Sequence, residues 1–285
     1  MEKKIDRCLE RLSTADPDLR RASLLQILKE ENFAPVTQTE PASESGLRPV
    51  ENYLFLPETE TPCVLFTAHY DAYPGSTGAN DNASSLCILI DLMDALRSRN
   101  IPAGFAFLDG EESGHKGAEL FRKRKENPAF SSVVSLDLCG YGDTIAVYCR
   151  GSRKQPGAAA FCDSERLKTH HGQLVKFLPE GDDIIFSARV QPVLSIAVLP
   201  KWDIPYTNAL DSYREHLIAK PPEFYTMTGE MEIMTTMHGA FRDSLKWIRP
   251  EAMKQVYDYL LDVMTSPPRA AKHSGPADFI RHIFG

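Results

Sequence analysis

Residues 63–72, CVLFTAHYDA, join a short apolar run directly to His69 and Asp71. An apolar run of this length, bounded by polar residues, is typical of a buried β-strand. Two further apolar runs follow along the chain, GFAFL at 104–108 and SSVVSLDL at 131–138, with a helical pattern in each interval. Strands that alternate with helices indicate a largely parallel sheet with helices on both of its faces.

The rest of the chain extends this pattern. A fourth buried strand is predicted at 193–200, VLSIAVLP, and an amphipathic closing helix at 250–264. Two helices are expected within residues 1–32, where Asp16 supplies an N-cap and Pro17 stands in the first turn. We therefore predict an α/β fold, namely a three-layer α/β/α sandwich with a mixed, mostly parallel central sheet.

The overall composition fits one globular domain over residues 1–285. The chain has 285 residues, of which 42% are hydrophobic and 25% are charged, and no repeat or long linker divides it. Its formal net charge of −7 argues against a nucleic-acid partner, because proteins that bind nucleic acids usually present a basic face. The composition does not specify an oligomeric state.

The sequence shows none of the usual signs of export or membrane insertion. The N-terminal lysines are not followed by the apolar core of a secretory signal, and no apolar run approaches the ~18 residues of a membrane span. The six cysteines are scattered, without the C-x-x-C spacing of a zinc ribbon. We therefore predict reduced thiols in a cytoplasmic protein that has no membrane partner.

Side chains of metal-binding type stand where strands end or where a helix begins: His69, Asp71, Asp81, Glu111, Glu112 and Asp137. Open parallel sheets bind ligands beyond the carboxyl ends of their strands, so these side chains should meet at one edge. Five carboxylates in one crevice would repel one another unless cations neutralised them. Imidazole and carboxylate ligands suit zinc best, with cobalt or manganese as substitutes.

The adjacent residues Glu111 and Glu112 can divide the work of such a site. Neighbouring side chains at a strand end point in different directions, so one glutamate can bind metal while the other stays free as a general base. Asp109, which precedes Gly110 in the same stretch, is more typical of a turn than of a ligand.

Four motifs occur in the order H-x-D, GANDNAS, D-G-E-E and L-D-x-x-G. Together they resemble the co-catalytic zinc exopeptidases of the bacterial leucyl-aminopeptidase and glutaminyl-cyclase type, closely over residues 64–143 and loosely elsewhere. The resemblance implies a zinc aminopeptidase-like fold with two zinc ions per chain. It also implies five metal ligands: His69, Asp81, Glu112, Asp137 and His238.

The resemblance further implies a role for each residue. His69 and Asp137 would hold one ion and Glu112 the second, with Asp81 bridging the two. Asp71 would orient His69 by contacting its ring. In the same scheme Glu111 would act as the catalytic base that takes the proton from a water shared by the two ions.

Among the five implied metal ligands, the second histidine is the one that the sequence identifies least clearly. His238 stands in TTMHGAFRDS, where Asp243 follows it as in the family. Its rivals are His216 in the same part of the chain and the pair His170 and His171, which is typical of a solvated helix face.

The segment 201–237 could form a rim or lid over the site, because it is aromatic and contains prolines. The developing oxyanion could receive a hydrogen bond from any of three tyrosines in it: Tyr206, Tyr213 and Tyr225. Departures from the family pattern leave the ligand set intact and bear on substrate choice; they are Ser85, Ser135 and Gly181.

These features predict a metal-dependent aminopeptidase that releases N-terminal residues from peptide substrates. The alternative is a glutaminyl cyclase, a single-zinc acyltransferase of the same fold. Cyclases depart from the DNAS pattern after Asp81, and they tend to carry Trp where this chain has Met237. A non-catalytic binding module is disfavoured because every ligand is present. A carboxypeptidase-like relative with an inserted dimerisation domain is disfavoured by the short interval between Asp137 and His238.

Overall fold

The computed structural model describes residues 2–41, 48–124, 126–186, 190–213 and 220–266. These residues form eight strands: β1 Val36–Glu40, β2 Val50–Phe55, β3 Cys63–His69, β4 Ala103–Leu108, β5 Phe130–Leu136, β6 Thr144–Arg150, β7 Gly172–Leu174 and β8 Val193–Leu199. They also form nine α-helices: α1 Glu2–Leu12, α2 Pro17–Glu30, α3 Ser84–Arg97, α4 Lys116–Lys123, α5 Pro156–Ala159, α6 Ser164–Thr169, α7 Ile204–Ala209, α8 Pro222–Glu230 and α9 Pro250–Thr265. Within these ranges, no helix combines the length and the apolar character that crossing a bilayer requires.

The strands form one mixed sheet in the order β1-β2-β4-β3-β5-β8-β6-β7. Its centre is parallel, because β3 lies between β4 and β5, and β8 continues the sheet beyond β5. The antiparallel pairs are β1 with β2, β2 with β4, and β6 with β8. The prediction of a mixed, mostly parallel sheet is confirmed. The sequence had not indicated β6 and β7, which complete one end of the sheet.

Alternate residues of the central strands face two different helical layers. On β3, Phe66 belongs to the large core shared with α1, α2, α3 and α9, whereas Leu65 belongs to a smaller core shared with α4. On β4, Phe107 and Leu108 divide in the same way. A period of two is the signature of a strand that is covered on both faces. The three-layer α/β/α arrangement is therefore confirmed.

A buried arginine fastens the two N-terminal helices to the chain beyond β3. The helix α2 begins as predicted, with the side chain of Asp16 accepting hydrogen bonds from the first turn at 2.9 and 3.0 Å. Arg20 of this helix is 1% exposed. Its guanidinium donates hydrogen bonds to four backbone carbonyl oxygens, those of Leu12, Tyr70, Thr77 and Gly78. Arg20 therefore holds the loop that runs from β3 towards Asp81.

Arg20→Met is expected to lower the free energy of unfolding by about 3 kcal/mol, because a buried cluster of carbonyl oxygens loses its shared donor. Urea denaturation followed by circular dichroism measures the change. Arg122→Met is the matched control, since Arg122 is 55% exposed and pairs with Glu119 on the surface of α4. The control should shift stability by less than about 0.5 kcal/mol. Equal stabilities of the two variants would show that the buried hydrogen bonds of Arg20 are dispensable.

Candidate metal centre and active site

The candidate site lies at the carboxyl edge of the three central strands. β3 ends at His69, which is in register with Leu108 at the end of β4. On the other side of β3, β5 ends at Leu136, so Asp137 is the first residue beyond the sheet. Neighbouring parallel strands thus bring distant parts of the chain to one crevice, as the strand pattern predicts.

One group of potential metal ligands contains His69, Asp81 and Asp137. Nε2 of His69 lies 3.2 Å from Oδ1 of Asp81 and 3.6 Å from Oδ1 of Asp137. All three ligand atoms lie within 4.8 Å of one another. His69 comes from a strand, Asp81 from the irregular turn Ala79–Ala83 before α3, and Asp137 from the end of the next strand. The three side chains are therefore close enough to share one cation.

A second group contains Asp81, Glu112 and His238. Oε2 of Glu112 lies 3.7 Å from Nε2 of His238, and the three ligand atoms again lie within 4.8 Å of one another. The backbone N–H of His238 donates a hydrogen bond of 2.9 Å to Oδ2 of Asp81. Its ring packs against Tyr73, with ring centroids 5.6 Å apart. Asp81 therefore belongs to both groups, one oxygen lying near His69 and the other contacting His238.

Several of these ligand atoms are buried without a well-aligned hydrogen bond to any described residue: Nε2 of His69, Oε1 of Glu112 and Oδ1 of Asp137. Buried polar atoms are nearly always paired, because an unpaired one costs about 1–3 kcal/mol. A divalent cation would supply the partner that these atoms lack. The residues therefore fit a metal site, and their mixture of imidazole and carboxylate groups fits zinc.

Burial raises the pKa values of three acids of the site. Burial, reinforced by neighbouring carboxylates, raises the pKa of Glu111 to about 8 and that of Glu112 to about 9. Burial likewise raises the pKa of Asp137 to about 6. Protons and cations therefore compete for the same oxygen atoms, which is the usual behaviour of a metal site.

Asp71 fixes the backbone around the predicted catalytic base. Its two carboxylate oxygens accept hydrogen bonds from the N–H groups of Glu111 and Glu112, each at 3.1 Å. The same carboxylate lies 3.3 Å from Nδ1 of His69. One side chain therefore positions both the ring of His69 and the turn that carries the two glutamates.

Glu111 lies beside a histidine–aspartate pair that the sequence did not single out. Its Oε1 is 3.5 Å from Nδ1 of His115, and that nitrogen is 3.1 Å from Oδ1 of Asp182. The chain before Asp182 approaches closely because Gly181 has no side chain. A Cβ atom there would lie 3.2 Å from Oδ2 of Asp137. The lack of a side chain at Gly181 therefore leaves room for the Asp137 carboxylate.

The turn that carries Asp81 is held by a residue close to His238 in the sequence. Oδ1 of Asp243 accepts hydrogen bonds from the N–H groups of Asn80 at 2.9 Å and Asp81 at 3.2 Å. Its other oxygen accepts a hydrogen bond from the hydroxyl of Ser76. Asp243 thus links the C-terminal part of the chain, which carries His238, to the turn that carries Asp81, the residue that both groups share. Asn80 and Asp243 both occur in quoted motifs, but their backbone contacts could not be read from those motifs.

The remaining candidates take part in other contacts. Asp109 accepts a hydrogen bond of 3.1 Å from the N–H of Glu51, which agrees with a structural role in the turn after β4. Nε2 of His170 lies 3.2 Å from Asp262. His216, the rival of His238, lies outside the described residues.

The segment 201–237 contains α7 and α8, and its residues 214–219 lie outside the described ones. Tyr206 and Tyr213 pack against the hydrophobic cluster around Leu199, whereas Tyr225 is 61% exposed. The role of this segment as a rim or lid stays a prediction, as does the organisation of the chain as a single domain.

The model of peptidase family M28 matches residues 55–220 of the chain. The alkaline phosphatase isozyme conversion protein of Escherichia coli K12 is 27% identical over 205 residues, which cover 64% of this chain and 57% of that protein. The vacuolar membrane protease of Lachancea thermotolerans is 24% identical over 188 residues, which cover 65% of this chain and 19% of that protein. The chain thus spans less than two thirds of each of these curated relatives.

Two solved structures are similar over most of the chain. The LapA aminopeptidase of Legionella pneumophila superposes with a TM-score of 0.64 at 13% identity, covering 93% of this chain and 71% of that one. A glutaminyl cyclase of Tannerella forsythia also gives 0.64, at 17% identity, covering 93% and 97% of the two chains. At these identities the likeness concerns the fold, and the predicted fold class is confirmed.

Proposed function

Because the chain belongs to peptidase family M28, we propose that it is a zinc-dependent aminopeptidase that hydrolyses N-terminal residues from peptides. One observation carries this proposal: Asp81 contributes a carboxylate oxygen to each of two groups of potential metal ligands. A carboxylate shared in this way is what a two-metal hydrolytic site requires. The predicted cytoplasmic location and the second ion stay part of the proposal.

The side chains of the site have distinct proposed roles. His69 and Asp137 would hold one zinc ion, Glu112 and His238 would hold the other, and Asp81 would contribute to both groups. Zinc bound by these residues would supply Lewis-acid chemistry, which lowers the pKa of water and polarises a carbonyl group. Glu111 accepts a proton from the attacking water and returns it to the leaving amine, because it lies beside the ligands without belonging to either group. Asp71 keeps Glu111 in position through the backbone.

The electrostatics of the crevice favour a substrate with a free N-terminus. Asp182 is buried, and its Oδ2 lacks a hydrogen-bond partner among the described residues. It contacts the same histidine nitrogen as Glu111, so it borders the proposed base. A peptide N-terminal ammonium group, with three N–H donors and a positive charge, would satisfy this oxygen. An internal peptide bond offers a single N–H donor and no charge, which supports an exopeptidase.

Glutaminyl cyclase is the second candidate, favoured by the similarity to the Tannerella forsythia cyclase over nearly the whole of both chains. Two sequence features argue against it. Met237, the residue before His238, stands where cyclases tend to carry Trp, and it is buried in an apolar cluster. The DNAS sequence that begins at Asp81 follows the peptidase pattern instead.

Metal analysis and substrate turnover together test the proposal. The purified protein, saturated with zinc and then desalted, should retain two ions per chain by elemental mass spectrometry. It should release nitroaniline from a panel of aminoacyl-nitroanilides, and a chelator should abolish that release until zinc is restored. One ion per chain and ring closure of N-terminal glutamine would indicate the cyclase instead. A zinc-loaded protein that turns over neither class of substrate would refute both enzymatic functions.

A further inference from the structure

Two cysteines from different helices meet inside the helical layer, away from the residues of the proposed active site. The Sγ atoms of Cys8 on α1 and Cys87 on α3 lie 2.7 Å apart, and both are free thiols. Carbon atoms in close packing lie ~3.5–4.0 Å apart, and sulfur is the larger atom. The two thiols are thus closer than ordinary packing brings them, and they approach the ~2.05 Å of a sulfur–sulfur bond. The two sulfur atoms are therefore close enough for one thiol to react with a group carried by the other.

A cavity gives small molecules access to one of the two thiols. The cavity has a volume of about 330 Å³ and lies between α1, α2 and α3, with Cys8 on its wall. Cys8 is 7% exposed, whereas Cys87 is 1% exposed and does not line the cavity. A reagent in the cavity therefore reaches Cys8 first, and it reaches Cys87 only through Cys8.

We propose that Cys8 and Cys87 are an oxidation site at which a low-molecular-weight disulfide, such as glutathione disulfide, installs a covalent bond between α1 and α3. The Cys8 thiolate attacks one sulfur of the reagent, which forms a mixed disulfide and releases one thiol. The Cys87 thiolate then attacks the Cys8 sulfur and releases the second thiol. Two protein thiols are oxidised to one disulfide, the reagent is reduced to two thiols, and the two cysteine protons end on those thiols.

The bond would close a ring of chain from residue 8 to residue 87. This ring contains His69 and Asp81, together with the loop that Arg20 fastens to α2. A cross-link over a ring of this size stabilises a protein mainly because it restricts the unfolded chain. The disulfide would therefore stabilise the part of the fold that carries His69 and Asp81, and its formation does not depend on the proposed peptidase activity.

The other cysteines provide an internal comparison. Cys149 and Cys162 also interact through their thiols, and they are the competing site of oxidation. Cys63 and Cys139 are buried and belong to neither pair. The cavity is lined by Cys8 and by neither Cys149 nor Cys162, so the first disulfide to form should join Cys8 and Cys87.

The experiment compares the full chain treated with glutathione disulfide with the same protein treated with dithiothreitol. Titration of the unfolded protein should show that the oxidised sample has two fewer thiols than the six of the reduced chain. Its intact mass should fall by two hydrogen atoms, and non-reducing peptide mapping should join the peptides of Cys8 and Cys87. The oxidised protein should melt about 5 °C higher than the reduced one, and dithiothreitol should reverse the shift.

Cys87→Ser distinguishes the effect of the Cys8–Cys87 disulfide from other effects of oxidation. This variant should keep a single glutathione on Cys8 and show no rise in melting temperature. The peptide map of the parent protein needs no variant, so the proposal can be judged even if Cys87→Ser folds poorly. It is overturned if the only bridged peptides contain Cys149 and Cys162. It is equally overturned if glutathione stays on Cys8 of the parent protein, or if all six thiols survive.

Discussion

Glu111→Gln is expected to lower the rate of peptide hydrolysis by about 10³-fold while the metal content stays at the parental value. The amide keeps the size of the side chain and removes its capacity to accept a proton from water. The N–H of residue 111 still donates to Asp71, so the turn should keep its shape. The loss should appear in kcat, measured on an aminoacyl-nitroanilide, with little change in KM.

Glu126→Gln is the matched control, because the side chain of Glu126 is 78% exposed and the substitution changes the same charge by the same amount. The control should hydrolyse peptides at the parental rate. If Glu111→Gln were equally active with both ions bound, another residue would be the base. If it lost its metal, Glu111 would be a ligand instead.

Asp81→Asn should weaken the binding of both metal ions by more than about 100-fold and abolish hydrolysis with them. Loss of a residue that only supports a ligand already costs about 10- to 100-fold in metal affinity, and Asp81 contributes to both groups. Oδ2 of Asp81 also accepts a hydrogen bond from the backbone N–H of His238. An amide NH2 group in its place is a donor and does not accept this bond. Competition with a chromogenic zinc chelator measures each affinity.

Asp94→Asn on the outer face of α3 is the control for Asp81→Asn, because Asp94 pairs with Arg97 at the surface. It should bind two ions with parental affinity. Retention of one tightly held ion by Asp81→Asn would show that the two groups are independent and that Asp81 does not bridge them.

The elements that the sequence predicted well are those with a strong apolar pattern. The strands β3, β4, β5 and β8 are continuous apolar runs because both of their faces are covered, and the structure places them as predicted. The strand β6 was missed although TIAVYCR is also apolar, because no helix pattern separates it from β5. The three residues of β7 are too few to show a period.

In the site, the order of strands made the meeting of His69, Asp81 and Asp137 predictable. The position of His238 was less predictable, because this residue does not follow a strand. It was chosen as a ligand only because the residues around it resemble a family motif. The pairing of His115 with Asp182 could not be foreseen, since the two residues lie on separate loops that no strand end brings together. Contacts of this kind depend on loop geometry rather than on periodicity, which is why a pattern does not reveal them.

The division of the ligands between two groups also has a consequence during translation. The ribosome synthesises the chain from its N-terminus. His69, Asp81 and Asp137 are therefore all present before His238 is added. At roughly 5–20 residues per second, the interval of about 100 residues takes roughly 5–20 s. Glu112 is already present by then, so Asp81 spends several seconds with its first group of potential metal ligands complete and its second group lacking only His238.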